Sequence, residues 1–352
     1  MRQKRNLRFL QSLFSRPIGI DLGTATTRIS VAGRGIVVRE PSVVLRESGH
    51  LGDTILAGSD AHQSLGRTSA GIAAICPVRG GVLADFFAAK DMLSCFLRRI
   101  NSRWHAPSLI LSVPIGATQA ERRAVHELAE TVGASAALLV DAPIAAALGA
   151  RLPIEQVFGS MIIDVGAGKT EVAVFNLGRI VQSQSIRTGG ETLDRAIATW
   201  LRGFHGVAVG DKAAEKVKIC AAYVKCDSGD DFANVKFTTS VRGIGLSSGL
   251  PVEIDVTGDE IADVIAAKID DIVAIVVATL ENLPVEISSD IAERGILMTG
   301  AAAVLPGLQQ RIANDVGIAA FVIEDCADAV ASGLGLIVED VVRFRPFLHA
   351  VY

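Results

Sequence analysis

No apolar run reaches the roughly eighteen residues that a membrane-spanning helix needs. The longest, Ile272 to Leu280, follows Asp270 and Asp271 and reads as a buried helix. Cysteine is sparse: Cys76, Cys95, Cys220, Cys226 and Cys326 are odd in number and scattered. Cys220 and Cys226 have no matching second pair, which excludes a zinc knuckle and leaves reduced thiols of a cytoplasmic protein as the simplest account. Charge of one sign is also lacking. A net charge of −4 gives no global footprint for nucleic acid. The basic N-terminus is followed by neither an apolar h-region nor a small-residue cleavage site, so it does not read as a secretory signal. Low-complexity segments and an obvious interdomain linker are absent.

What remains is a globular composition, half apolar and one fifth charged, over 352 residues. That is too long for one ordinary core and suits two lobes. On a helical wheel, Leu7, Phe9, Leu10, Leu13 and Phe14 share one side of residues 4–14, with Lys4, Arg5 and Arg8 opposite. Such a helix can lie in a membrane interface with its cations over anionic headgroups. The same pattern suits a helix docked on the protein's own surface, or a tail.

Two segments repeat one design. Ile18-Gly-Ile-Asp21-Leu-Gly23-Thr24-Ala25-Thr26-Thr27 is followed by Arg28-Ile-Ser-Val; Met161-Ile-Ile-Asp164-Val-Gly166-Ala167-Gly168-Lys169-Thr170 is followed by Glu171-Val-Ala-Val. Each predicts a strand, an Asp, a glycine turn bearing hydroxyls, and a second strand, once per half. Helices are predicted over 119–132, 143–150, 193–204, 212–223 and 259–280, strands over 109–113, 136–140 and 296–298, and a small β-containing insertion over 227–256. Their alternation argues for mainly parallel sheets covered on both faces.

A tight turn after a strand can aim several backbone N–H groups at phosphate oxygens, and glycine permits the close approach. Asp21 and Asp164 repel phosphate, so their fitting role is to hold magnesium through its waters. Gly168-Lys169-Thr170 suggests a Walker loop, but the glycine required five residues earlier is Ile163, which excludes that motif.

The stretches IDLGTATT, GIVVREPSVV, GRTSAGIAAICPVRGGVLADF, PIGATQAERRAV, APIAAALGARLPI, DVGAGKTEVAVF, IRTGGETLD and SSDIAERGILMTG resemble bacterial actin homologues of the MreB rod-shape family over nearly the whole chain. The resemblance implies an α/β actin-like ATPase fold: duplicated ribonuclease-H-like lobes, mixed sheets flanked by helices, and a nucleotide cleft between lobes. It implies a first lobe over 17–150 with an insertion near 34–76, a second over 151–325 with an insertion near 182–256, and residues 326–352 returning to the first. No substrate-binding domain follows residue 340, which disfavours a chaperone of the Hsp70 type.

For function, the resemblance implies ATP with Mg2+ and head-to-tail filaments on the inner face of the cytoplasmic membrane. Implied partners are further copies of the chain, cell-wall elongation proteins and another actin homologue. Residue by residue, Gly23, Thr24, Ala25 and Thr26 match the first phosphate turn, with Asp21 near the metal. Asp164, Gly166, Ala167 and Gly168 match the second. Glu215, Lys216, Val217 and Lys218 match the ribose and base helix, and Gly300, Ala301, Ala302 and Ala303 the adenosine turn. Residues 1–16 match a membrane-binding helix, and residues 101–107, with Trp104, an apolar membrane loop; Trp104 equally suits a cap on the core beneath that loop.

The chain departs from the family at three loops. Ala167 and Lys169 replace a glycine and a threonine of the second turn, and Ala301 and Ala302 replace glycines, which strains the turn if either needs positive φ. The water-positioning glutamate is Ala142, a loss that typically costs roughly 10²- to 10⁴-fold in rate. Asp141, Lys169 and Thr170 are the candidates to compensate. The leading expectation is a membrane-associated cytoskeletal filament protein with weak or slow hydrolysis. Its alternatives are a fully active ATPase and a non-polymerising or co-assembling regulator. A small-molecule phosphotransferase lacks a carboxylate placed by motif as substrate base.

Overall fold

The computed structural model describes residues 17–47, 54–66, 71–100, 106–225 and 237–350. The predicted amphipathic helix within residues 1–16 and the loop residue Trp104 lie outside them. The chain divides into two compact units, one built from residues up to Pro153 together with Asp328 onward, the other from Ile154–Ala327.

In the first unit a five-stranded sheet runs in the order β10 (Ala136–Asp141), β9 (Ser108–Val113), β1 (Ile18–Leu22), β2 (Thr26–Val31) and β3 (Gly35–Pro41). In the second the order is β18 (Ala320–Val322), β17 (Ile296–Thr299), β11 (Ser160–Val165), β12 (Thr170–Asn176) and β13 (Arg179–Ile186). The two are the same sheet built twice, with β1 answering to β11, β2 to β12 and β9 to β17.

The sheets are mixed rather than mainly parallel. β1–β2–β3 and β11–β12–β13 pair antiparallel, while β1–β9–β10 and β11–β17–β18 pair parallel. The reason is local. A strand–turn–strand unit closed by a few residues can only be antiparallel, whereas parallel neighbours need a long crossover. Small accessory sheets complete the units. In the first they are β4 (Val44–Glu47) between β5 (Thr54–Ala57) and β6 (Ile72–Ile75), and a hairpin of β7 (Val78–Arg79) and β8 (Val82–Leu83). In the second, β14 (Val207–Ala208), β15 (Thr238–Gly245) and β16 (Pro251–Thr257) form an antiparallel sheet within the predicted β-containing stretch, part of which lies outside the described residues.

Helices cover these sheets. The first unit has α1 (Ser59–Gln63), α2 (Phe86–Ile100), α3 (Gln119–Thr131), α4 (Ala142–Gly149) and, from the returning segment, α10 (Ala329–Glu339). The second has α5 (Gly190–Phe204), α6 (Asp211–Ala221), α7 (Gly258–Glu281), α8 (Val285–Arg294) and α9 (Leu308–Val316). Predicted helix ends fall close to these because the stop and start chemistry is local. Thr118 and Glu121 form a capping box at the start of α3, and Thr257 with Glu260 does the same for α7.

The α4–α10 contact is made by glycine. A Cβ at Gly333 would lie 1.8 Å from the Ala145 carbonyl oxygen, and one at Gly149 would lie 1.9 Å from that of Ala329. The two backbones therefore touch. α10 also sits on the sheet, where Ser30 donates to the Ala331 carbonyl at 2.6 Å. Each unit has its own core: Ile20, Ile29, Met92, Phe96, Leu111 and Leu139 in the first, Ile163, Val172, Ile197, Ile265 and Met298 in the second.

Candidate functional site

In the second unit the turn after β11 is closed by Gly166 N–H donating to the Lys169 carbonyl at 2.9 Å. The start of α5 docks directly on it. Gly190 N–H donates to the Gly166 carbonyl at 3.0 Å, and Glu191 N–H to the Ala167 carbonyl at 2.8 Å. A Cβ on Gly189 would meet the Gly166 oxygen at 2.5 Å, so glycine is needed for the approach. From α6, Lys218 Nζ donates to the Gly190 carbonyl at 3.1 Å and to Asp194 Oδ2 at 2.8 Å. The turn after β17 closes the group. Gly300 N–H reaches the Cys326 carbonyl at 2.9 Å, and Ala302 N–H the Val165 carbonyl at 2.9 Å. Three predicted segments, the second phosphate turn, Lys218 and the Gly300–Ala303 turn, are thus drawn together within one unit, with the start of α5 among them.

Asp164, the penultimate residue of β11, is buried and accepts from Thr299 Oγ1 at 3.1 Å. Directly across the ladder stands Glu171, fully buried. The Lys169 ammonium pairs with Glu171. A buried carboxylate is costly without a counter-ion, and Lys169, in the turn just before β12, supplies that cation. Thr170 is likewise turned inward, donating to the Thr188 carbonyl at 2.7 Å. Val217 and Ala303 are buried in the core, whereas Glu215, Lys216 and Ala301 are exposed.

The feared strain at Ala301 and Ala302 is absent. Gly300 alone in that turn has positive φ, +90°, and the non-glycine residues with positive φ, among those described, are Ala106, Arg151, Leu177 and Asp325. A Cβ on Gly300 would meet the Val165 oxygen at 2.3 Å and Asp164 Oδ1 at 2.7 Å. Burial pushes the Asp194 carboxyl above its usual range, which Lys218 only partly offsets, and its Oδ1 is buried without a hydrogen-bond partner. Burial, with the Asp164 charge nearby, also raises the Cys326 thiol.

In the first unit the matching turn is Gly23-Thr24-Ala25 between β1 and β2. Asp21 accepts from Ser112 Oγ at 2.9 Å and lies 4.0 Å from Arg28. Thr24 Oγ1 accepts from Gly81 N–H at 2.9 Å, and Ser42 Oγ donates to the Gly23 carbonyl at 2.6 Å, so the turn is braced by both neighbouring loops. Thr26 opens β2, half-buried. The repeat extends to these partners. Ser112 on β9 serves Asp21 as Thr299 on β17 serves Asp164, but Arg28 stands where the second unit has Glu171.

Asp141 ends β10 just before α4, and Ala142 behind it is buried. The Asp141 carboxylate is gripped by Arg122 at 2.6 Å and lies 3.6 Å from His349 Nε2. Burial alone would raise its pKa; the hydrogen bonds and charges of His349 and Arg122 outweigh burial and hold it below the usual value. A carboxylate so held is a weaker base than a free one. Among the described residues no group of three or more His, Cys, Asp or Glu side chains is gathered as a ready metal cage. No helix among the described residues is long and apolar enough to cross a membrane.

Sequence reasoning passed over Asp194, Glu171, Gly189 and Gly190. The Gly-Gly pair directly before a helix was a usable signal for close backbone approach. A glutamate inside a β-rich run was another, because a charge buried there requires a partner.

Comparison with known proteins agrees with this architecture. A protein-family model described as MreB/Mbl protein matches residues 15–345. The chain is 40% identical over 341 residues to the cell shape-determining protein MreB of Escherichia coli (strain K12), covering 95% of this chain and 96% of that one. It is 36% identical over 330 residues to the cell shape-determining protein Mbl of Bacillus subtilis (strain 168), covering 93% and 97%. Among solved structures, MreB5 of Spiroplasma citri bound to ADP superposes with a TM-score of 0.86 at 29% identity, covering 94% of this chain and 98% of the other. A MamK double helical filament, at 19% identity and a TM-score of 0.76, shares the fold. The fold is actin-like.

Proposed function

Because this chain belongs to the MreB/Mbl family, we propose that it is a cytoskeletal filament subunit that supports cell shape, binds ATP and hydrolyses it slowly. The observation that carries the proposal is the near-full-length likeness to cell-shape proteins in a chain whose two sheets repeat strand for strand, each with an Asp and a glycine turn. Solved MreB5 structures hold ADP and AMPPNP, which supports a nucleotide here.

The residues fit such a ligand. Gly300 gives the turn after β17 its left-handed step without strain at the alanines. The α5 start, the Ala167 turn and Ala302 lie against one another beside Lys218. The buried, unmatched Asp194 Oδ1 is an acceptor suited to a ribose hydroxyl. Backbone N–H groups of Gly23 to Thr26 and of Ala167 and Gly168 would face phosphate oxygens. Asp21 and Asp164 would hold magnesium through water, and the ion would neutralise phosphate charge when bound.

Slow turnover follows from the water-positioning step. Ala142 has no acceptor, and Asp141 is committed to Arg122 and His349. The chain assembles head to tail with copies of itself at the inner face of the cytoplasmic membrane. It is held there by residues 1–16 and Trp104, alongside cell-wall elongation proteins and, where present, another actin homologue.

Titration of the purified chain with ATP and ADP, followed by phosphate release, tests the nucleotide reading. Saturable binding with turnover well below that of an active family member is expected. Turnover at the active member's rate, abolished by Asp141→Ala, contradicts slow hydrolysis. Flotation with anionic liposomes tests attachment; removal of residues 1–16 should abolish it, and undiminished binding contradicts that role.

A further inference from the structure

Lys169 is out of place for a phosphate turn, and its surroundings explain what it does. Asp164 and Glu171 sit directly opposite one another on β11 and β12, in register and antiparallel, so their side chains leave the same face of the sheet. Position 169 lies two residues before 171, on that same face. Both carboxylates are buried, Glu171 completely. Lys169 Nζ reaches Glu171 while its own side chain is largely covered. The first unit solves the equivalent problem differently. There the residue across from Asp21 is Arg28, itself the cation, 4.0 Å from the Asp21 carboxylate. In each unit a fixed cation thus lies near the turn-bearing aspartate: Arg28, bonded to Asp328 at 2.7 Å, in one, and Lys169, which neutralises the Glu171 carboxylate across from Asp164, in the other.

We propose that Lys169 is a resident counter-ion that takes over part of the divalent cation's work at the second phosphate turn, so that this chain binds a nucleoside polyphosphate with little dependence on magnesium. The inference rests on the nucleotide-binding reading and deepens it. A threonine at 169 brings no charge, and the carboxylate face and the phosphates then repel one another until a divalent ion arrives. A lysine brings one positive charge permanently, before any ligand binds. It lowers that repulsion in the metal-free state and lowers the attraction for the divalent ion by the same electrostatics. Because the ammonium is tied to Glu171 by geometry, it costs little to organise when the ligand enters.

The test measures ATP affinity by equilibrium titration in excess Mg2+ and in EDTA, for the wild-type chain, Lys169→Arg, Lys169→Thr and the double variant Lys169→Thr/Glu171→Gln. The readout is the ratio of the two dissociation constants. Wild type and Lys169→Arg should change less than about fivefold on metal removal, whereas Lys169→Thr should change by more than about fiftyfold, a gap well above one tenfold step in affinity. In the double variant, which removes the cation together with the carboxylate it neutralises, the ratio should return to the wild-type range. If Lys169→Thr proves too unstable to titrate, the wild-type ratio decides by itself. A wild-type change of more than about fiftyfold, or one as large as that of Lys169→Thr, overturns the proposal while leaving nucleotide binding intact. Binding of ATP in neither condition overturns the nucleotide reading and this inference with it.

Discussion

Replacing Gly300 by alanine separates two accounts of the turn after β17. Gly300 has φ +90°, and its added Cβ would lie 2.3 Å from the Val165 oxygen and 2.7 Å from Asp164 Oδ1. An L-residue in a left-handed conformation costs about 1–2 kcal/mol. Forcing a methyl into packed backbone adds about 1–3 kcal/mol. The sum, about 2–5 kcal/mol, corresponds to a fall of about 4–20 °C in the unfolding temperature of a unit of this size. The obstructing atoms are the backbone of β11 and the Asp164 carboxylate itself, so relief must move the candidate site. ATP affinity should therefore fall along with stability. Calorimetry of Gly300→Ala beside Ala301→Gly and Ala302→Gly measures this directly. The two glycine variants should change stability by less than about 1 kcal/mol, in the destabilising direction, because neither alanine is strained and glycine adds unfolded-state entropy. A Gly300→Ala protein as stable as wild type, or an Ala301→Gly protein markedly more stable, refutes the reasoning.

Other outcomes follow from named contacts. Gly333→Ala should prevent the close contact of α4 and α10 and lower the stability of the first unit by about 3 kcal/mol or more, because a Cβ 1.8 Å from a carbonyl oxygen can be relieved only by parting two backbones; thermal unfolding reads it. Lys218→Met should destabilise the second unit near neutral pH by leaving Asp194 buried without its ammonium. The Asp194 pKa is raised on folding, so the cost is full above the folded value and vanishes below the ordinary carboxylate range, and denaturant melts should converge with wild type as pH falls. Arg122→Ala concerns a carboxyl shifted the other way. The folded Asp141 pKa is lowered, so its contribution is present above the ordinary carboxylate range and is lost as pH falls through the folded value; the variant should be weaker at neutral pH and acid-unfold at higher pH.

Much of this structure is legible in the sequence where its cause is local. The repeated Asp-glycine turns and the helices predicted over 119–132 and 259–280 rest on neighbours within a few residues, and they appear where the residues predict. The sheet direction did not follow from alternation alone, because the hairpins in each repeat impose antiparallel pairing that helix-by-strand counting overlooks. Contacts between distant segments were not legible at all. Asp141 is held by His349 from the far end of the chain, and Gly149 is needed only because the α10 backbone at Ala329 crosses it. Lys169 stood out in the sequence, but its partner was invisible until the β11–β12 register placed Glu171 across from Asp164. Positive φ at Ala301 or Ala302 was a fair expectation from glycine replacement, yet the turn needs that freedom at Gly300 alone.

High-speed sedimentation of the purified full-length chain across protein concentration, with ATP, with AMPPNP and without nucleotide, tests the central claim most directly. A nucleotide-dependent filament subunit predicts a pellet that appears above a critical concentration, contains filaments by electron microscopy, and is lost in Asp164→Ala. A chain that stays in the supernatant at every concentration and with every nucleotide contradicts the account.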